Sequence, residues 1–169
     1  MKQPIPPFSH GPIRLRLLQE DDLPATLEWR NRDGARQQFF SGELISWDHH
    51  VAWFTRYADK NDDFVFIAEE LESGQRIGQV SLYDVNLAHA DAEVGRFIVA
   101  PEFAGRGLMR AAIEALSLLA ATSLGLHRLR LEVKASNSRA YQLYESLRFE
   151  VTERSDSVIH MERKLADGP

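Results

Sequence analysis

Between Phe97 and Leu119 the apolar residues change their spacing, and the change falls on Gly105-Arg106-Gly107. Ahead of it, Glu93 to Val99 alternates as a strand does. Behind it, Leu108, Ala111, Ala112, Ala115 and Leu119 recur at the period of a helix. A strand that turns directly into a helix leaves backbone N–H groups exposed at the helix start, where the dipole adds positive potential, and that arrangement suits a pyrophosphate. Gly105 and Gly107 let the backbone approach an anion closely, while Arg106 and Arg110 contribute charge. Taken alone, the same residues also describe a plain strand-to-helix turn.

The rest of the chain supplies strands and helices in an order that excludes regular βαβ winding. Ile13 to Leu17 alternates as a half-buried strand. Glu20-Asp21-Asp22 before Pro24 marks a helix start, since acidic residues suit the N-terminal dipole, and Ser46 is placed to cap a helix from Trp47 to about Asp59. Strands are expected at Phe64 to Glu70, Arg76 to Val85 and Glu93 to Val99, the first two joined by the turn Glu72-Ser73-Gly74-Gln75. A strand from His127 to Lys134, a helix from Asn137 to Leu147 and two last strands around Val151 and Ile159 complete the order β-α-α-β-β-β-α-β-α-β-β. That order predicts an α+β fold with a mixed, mostly antiparallel sheet of about seven strands and about four helices. Residues 1–12, with four prolines between Pro4 and Pro12, read as an irregular arm; residues 13–165 form the domain and 166–169 a tail.

Composition narrows the function. The 169 residues suit one domain, and 44% hydrophobic with 27% charged residues is the balance of a globule with a core. A net charge of −5 argues against nucleic acid as partner. The absence of Cys excludes a disulfide scaffold, a thiolate zinc site, an iron–sulfur cluster and a Cys-acyl intermediate. No apolar run is long enough for a membrane span, and Met1 to Pro7 lacks the apolar stretch of a signal peptide, so a cytoplasmic address is expected. The histidines, at positions 10, 49, 50, 89, 127 and 160, show no i,i+4 pair, and no metal is expected.

A second motif lies some thirty residues beyond the glycines. Asn137-Ser138-Arg139-Ala140-Tyr141-Gln142-Leu143-Tyr144-Glu145-Ser146-Leu147-Arg148-Phe149, taken with the glycine loop, resembles the GCN5-related N-acetyltransferase (GNAT) superfamily. The family pattern is a strand, R/Q-x-x-G-x-G/A opening a helix, a strand, then N-x-x-A-x-x-x-Y-E-x-x-G-F. The resemblance implies acetyl-CoA as co-substrate. It places Ala104, Gly105, Arg106, Gly107, Leu108 and Met109 in the pyrophosphate loop, and Phe97, Ile98 and Val99 on the strand that pairs with the pantetheine arm. It also implies Asn137 as a cofactor contact and Tyr144 as the acid that protonates the leaving thiolate. Ala104 departs from the family's Arg or Gln, so its phosphate contact is lost or passes to Arg106. Met109 follows the Gly-x-Gly-Leu-Met variant seen among members resembling ribosomal-protein acetyltransferases, and Arg148 stands where the family has Gly. Periodicity alone makes Tyr144 a core residue; the motif match reverses that.

The implied reaction is attack of an amine on a thioester, which needs a base, an oxyanion donor and an acid. Without Cys, direct transfer in a ternary complex is favoured. By strand alternation Glu93 shares a face with Gly95, Phe97 and Val99, where burial would raise its pKa and suit it as base. A solvated strand-end Glu is the alternative, and His50 a second candidate base.

On the first helix Leu23, Leu27 and Arg30 point one way. On the second, Trp47, Val51, Phe54 and Ala58 form one stripe, expected in the core. His50, Trp53 and Tyr57 form the other, either a packing face or a surface for stacking a sugar or base. The wording around Trp29, Trp47 and Tyr83 resembles acetyltransferases of nucleotide-linked 4-amino-sugars. That resemblance implies Arg30, His50, Trp53 and Tyr83 as acceptor contacts and a nucleotide-sugar acceptor. The alternatives are a protein N-terminal amine, a polyamine, and a non-catalytic acyl-CoA-binding module. Exposed strand edges and an aromatic-rich first half make a homodimer an expectation as well.

Overall fold

The computed structural model describes residues 2–32 and 42–165. Within them lie strands β1 (Phe8–His10), β2 (Ile13–Leu17), β3 (Asp63–Glu70), β4 (Arg76–Asn86), β5 (Asp91–Val99), β6 (Arg128–Lys134), β7 (Glu150–Arg154) and β8 (Val158–Lys164). The helices are α1 (Leu23–Asn31), α2 (Trp47–Tyr57), α3 (Leu108–Leu124) and α4 (Ser138–Ser146). Eight strands make one sheet, ordered β1-β2-β3-β4-β5-β6-β8-β7, with the expected α+β architecture. The additional strand is β1: the arm expected to be irregular folds back as a hairpin, Phe8 to His10 pairing antiparallel with Ile13 to Leu15. The tail at 166–169 lies outside the described residues.

All neighbouring strands are antiparallel except β5 and β6. One face of the sheet is apolar and closed. Leu82, Ala92, Val94, Leu129, Leu131 and Met161 on it are all buried, and Arg163 on β8 reaches from it to Glu114 (3.0 Å) and Ser117 (3.2 Å) of α3. The apolar side of α3 therefore sets the sheet's back, and α1 touches β4 and β5.

Two bulges break the alternation along β4 and β5. Tyr83 pairs with Glu93 and Asn86 with Asp91, so β4 carries an extra residue, and Asp84 takes φ +49°. Ser81 pairs with Gly95 but Gln79 with Ile98, so β5 also carries one, and Arg96 takes φ +54°. A bulge turns the side chains beyond it to the other face. Glu93 and Gly95 therefore share a face with Tyr83 and Ser81, whereas Phe97 and Val99 face the other way. The single face expected for Glu93, Gly95, Phe97 and Val99 does not form.

The helix starts follow from local chemistry. Ser46 accepts a hydrogen bond from the His49 N–H (3.2 Å) and caps α2. Before α1, Glu20–Asp22 form a 3₁₀ turn, and Asp22 is buried between Arg16 (2.8 Å) and Arg76 (2.8 Å). Burial alone would raise its pKa, but hydrogen bonds from Arg16, the Gln19 N–H and Arg76 outweigh it and hold the carboxyl below its usual range.

The helix faces correct two expectations. In α1 the buried residues are Leu23, Thr26 and Trp29, while Leu27 and Arg30 are only half-buried. In α2 the two stripes are exchanged: Trp47 is 47% and Val51 36% exposed, whereas His50 and Tyr57 are buried. The inward stripe is a stack, His50 on Trp53 (5.5 Å) and Trp53 on Tyr57 (5.1 Å), and the Tyr57 hydroxyl accepts from the Val65 N–H (2.9 Å). Both stripes are aromatic enough for a core. His50 and Tyr57 find partners for their polar tips inside, whereas Trp47 lies at the exposed start of the helix.

Candidate active site

The parallel pair β5 and β6 holds together only where Asp91, Ala92 and Glu93 meet Arg128, Leu129 and Arg130. Beyond that the strands part, and no pairing joins them as β5 continues to Val99 and β6 to Lys134. The parting opens a cleft in the sheet, and the edge of β5 from Val94 onward presents backbone groups to it. An extended amide-bearing chain can pair with such an edge as an added strand. Phe97, Ile98 and Val99 lie on it.

The glycine loop lies just past that edge. Gly105 and Gly107 adopt φ +77° and +73°, the left-handed region that glycine enters at least cost. Gly107 is the N-cap of α3 and no side chain caps the helix. The first turn's N–H groups, from Leu108 to Arg110, have no carbonyl of their own helix to bond. A Cβ built on either glycine would meet nothing within 4 Å, so the concavity is open and fits a pyrophosphate. Ala104 is exposed and carries no charge to this place. Arg106 lies 5.1 Å over the Phe103 ring and 3.4 Å from Glu70, and Arg110 donates to Ser146 of α4. Met109 is half-buried and Leu108 packs inward.

Asn137 accepts from the Ala140 N–H (3.1 Å) and caps α4, so its side-chain oxygen is committed to the helix start. Tyr144 packs on Phe97 (5.8 Å) and edge-on to Phe149 (6.1 Å). Burial pushes its hydroxyl well above the ordinary tyrosine range, and the charge of a nearby Tyr83 phenolate would push it further. Tyr144 is therefore a protonated donor at neutral pH, within electrostatic reach of Tyr83. Arg148 takes φ +71°, which explains why the family prefers glycine there.

Sheet register assembles the other end of the cleft. Asp63 pairs with Tyr83, Tyr83 with Glu93, Glu93 with Arg130, and Arg130 with Glu162. Directly opposed residues share a face, so these five form one polar row across β3, β4, β5, β6 and β8. Arg130 lies 3.3 Å from Glu93 and 3.4 Å from Asp91. Burial raises the Glu93 pKa; Arg130 opposes the rise, while Glu132 and Asp84 add to it, and Tyr83 stands directly opposite in the register. Burial also pushes Tyr83 up to about 12. Its ring lies across Gly95, where a Cβ would come within 2.7 Å of the Tyr83 hydroxyl. A cavity of about 80 Å³ beside Glu93 is lined by Arg130, Glu132, His160 and Glu162 among others. The larger cavity, about 550 Å³, lies between Trp29, Arg76 and Phe103, away from this row.

Of the residues singled out from the sequence, Glu93 and Tyr83 lie opposite each other in this row and Tyr144 is within electrostatic reach of Tyr83; Asp63, Arg96, Arg130 and Glu132, which lie beside them, were not singled out. Only register could have found them, because their separations follow no local period. His50 and Trp53 stand apart from the row: the His50 ring lies 3.0 Å from Thr26 Oγ1, and Trp53 is held between His50 and Tyr57. Arg30 is half-buried on α1. Among the described residues no group of three or more His, Asp or Glu could hold a metal, and no helix is long and apolar enough to cross a membrane.

Residues 13–150 match the family described as acetyltransferase (GNAT) domain. The spermidine N(1)-acetyltransferase of Vibrio cholerae is 29% identical over 81% of this chain and 78% of its own. The enzyme of the same name from Escherichia coli K12 is 26% identical over 86% and 76%. The crystal structure of the Vibrio cholerae spermidine N-acetyltransferase with CoA and spermine superposes with a TM-score of 0.84 at 26% identity, covering 92% of this chain and 97% of that one. A dodecameric structure of the Vibrio cholerae enzyme gives 0.75 at 26% identity, covering 92% and 95%. The parted strands, the uncapped glycine turn and a family match across most of the chain lead to one assignment: this protein belongs to the GNAT acetyltransferases and is an acetyl-CoA-dependent N-acetyltransferase.

Proposed function

We propose that the acceptor is a linear polyamine of the spermidine type, acetylated on a primary amine. The observation that carries this reading is the charge at the acceptor end of the cleft. Glu93, Asp84, Glu132 and Glu162 stand there with Asp91, and their acids outnumber the arginines Arg128 and Arg130. A polycation gains from that field, while the diphosphate of a nucleotide sugar is repelled by it. The spermidine acetyltransferases among the relatives support the same choice over the nucleotide-linked amino sugar.

In this reading the loop from Gly105 to Met109 binds the pyrophosphate through N–H groups, and the β5 edge at Phe97 to Val99 holds the pantetheine arm. Acetyl-CoA supplies the thioester. The ammonium enters among the carboxylates, and Glu93 takes its proton directly or through water. The freed lone pair forms the new C–N bond, the C–S bond breaks, Tyr144 gives its proton to the departing sulfur, and the second proton shed by the acetylated nitrogen restores Tyr144 through water. Tyr83 orients Glu93, and Asn137 steadies the cofactor. The reading includes a cytoplasmic address and self-association through the exposed Trp47 and Val51 of α2, in keeping with the dodecameric relative.

The test is thiol release from acetyl-CoA against spermidine, spermine, UDP- and dTDP-4-amino-sugars and N-terminal peptides. Turnover confined to the polyamines is expected. Turnover of a sugar nucleotide or a peptide in their place overturns the acceptor assignment.

A further inference from the structure

Arg96 occupies a position where glycine would be the least strained residue. It is the extra residue of the β5 bulge, at φ +54°, in a region that disfavours any residue bearing a Cβ. The Gln79 side-chain amide donates to its carbonyl (3.2 Å) and fixes the bulge. What Arg offers there and glycine cannot is its side chain. The guanidinium reaches Asp63 Oδ1 at 2.7 Å and lies 4.4 Å from the centre of the Tyr83 ring. Asp63 is 4% exposed and stands directly opposite Tyr83 in the register. A carboxylate so buried needs a cation, and Arg96 supplies it. Lys2 lies on the far side, donating to the Asp63 carbonyl and sitting 3.8 Å over the Tyr57 ring.

Tyr83 is thus fixed on two sides, Arg96 against its ring and Gly95 beneath its hydroxyl, and it stands directly opposite Glu93 in the register. We propose that Asp63 and Arg96 form a positioning clamp that holds Tyr83 against Glu93 and so sets the acceptor end of the active site. Neither residue touches a reacting atom; both act through Tyr83. The pair also hides its own charge, so the cleft presents carboxylates and not a free guanidinium to an incoming ammonium. The proposal rests on the reading of Glu93 and Tyr83 as acceptor-side residues.

The experiment compares Arg96→Gly, Tyr83→Phe and their combination in the full chain, with spermidine as acceptor. Arg96→Gly relieves the backbone but leaves the buried Asp63 carboxylate without its guanidinium, so its melting temperature falls, while in the folded enzyme kcat drops about tenfold and KM for acetyl-CoA does not change. In the Tyr83→Phe background the same substitution costs less than about twofold further. Arg96→Lys keeps the charge at Asp63 and recovers part of the loss. Asp63→Asn leaves an uncompensated cation beside the cleft and raises KM for spermidine several-fold; it carries the test alone should Arg96→Gly fail to fold.

Parent-like kcat in Arg96→Gly with parent-like KM in Asp63→Asn overturns the clamp. So does a full, additive loss in the Tyr83→Phe background. If Tyr83→Phe and Glu93→Gln are themselves without effect, the underlying site reading fails and the clamp falls with it, a pattern distinct from either of the first two.

Discussion

In the loop from Ala104 to Arg110, the backbone geometry depends on residues within a turn or so of one another. In the row from Asp63 through Tyr83, Glu93 and Arg130 to Glu162, neighbours come from five separate strands. The loop needs two glycines at positive φ and a helix to follow, and a short stretch of sequence encodes that. The row needs four strand registers to agree, with a bulge in β4 just past Tyr83 and another in β5 just past Gly95. One end of the active site is therefore local and generic, suited to a co-substrate shared by a whole family. The other is non-local, and a single change of register would give it a different charge.

Substitutions that touch one region and spare the other test this division. The largest effects belong to the proton-moving groups. Glu93→Gln should lower kcat about 100-fold with acetyl-CoA affinity intact, measured by thiol release and calorimetric titration. A base works only when unprotonated, so activity falls as pH drops through the Glu93 pKa. Because burial raises that pKa, the acidic limb of the parent profile lies above the range of an exposed glutamate, and it vanishes in the variant. Tyr144→Phe should cost kcat about 100-fold as well, since thiolate departure then lacks its acid. A full loss of acetyl-CoA binding instead would make Tyr144 a packing residue.

Gly95→Ala is the sharper test of the row, because it alters no polar side chain. The added Cβ would come within 2.7 Å of the Tyr83 hydroxyl and displace it, so kcat should drop about tenfold while acetyl-CoA binds as before. Gly107→Ala is its counterpart in the loop. Its left-handed φ penalises an alanine by about 1–2 kcal/mol, so acetyl-CoA should bind roughly tenfold more weakly, with the spermidine KM little changed. The smallest catalytic effect is expected from Trp47→Glu, placed outside both regions. It should keep kcat within about twofold and shift the sedimentation profile towards smaller species, since a charge replaces exposed apolar surface.

How far the chain could be read from its letters follows the same division. Ser46 as a cap, Pro24 in the first turn of α1 and the period change at Gly107 were legible because capping and φ preference act over a few residues. The α2 faces were not. Trp47 and Val51 look as apolar as Trp53 and Tyr57, and only the partners offered by Thr26 and Val65 turn His50 and Tyr57 inward. The β1 strand escaped notice among prolines because its pairing with β2 comes from the hairpin as a whole. Glu93 lies on the expected strand, but the face it shares was misjudged beyond Gly95, since nothing in Arg96 announces a bulge; that residue adopts φ +54° under the demands of its neighbours.

The amino-acid sequence by itself determined the cofactor end of this enzyme: the strand, the two glycines, the helix with no side-chain cap and the Asn137-to-Phe149 motif that brings Tyr144. Those features rest on dihedral preference and helix-end chemistry, which are properties of neighbouring residues. The tertiary structure alone decided which side chains meet across the sheet, and hence that Asp63, Tyr83, Glu93, Arg130 and Glu162 form one row, the row proposed to face the acceptor. Strand register is fixed by the packing of whole strands against a common core, and a two-residue repeat carries no mark of which partner, or which of two faces, it will find.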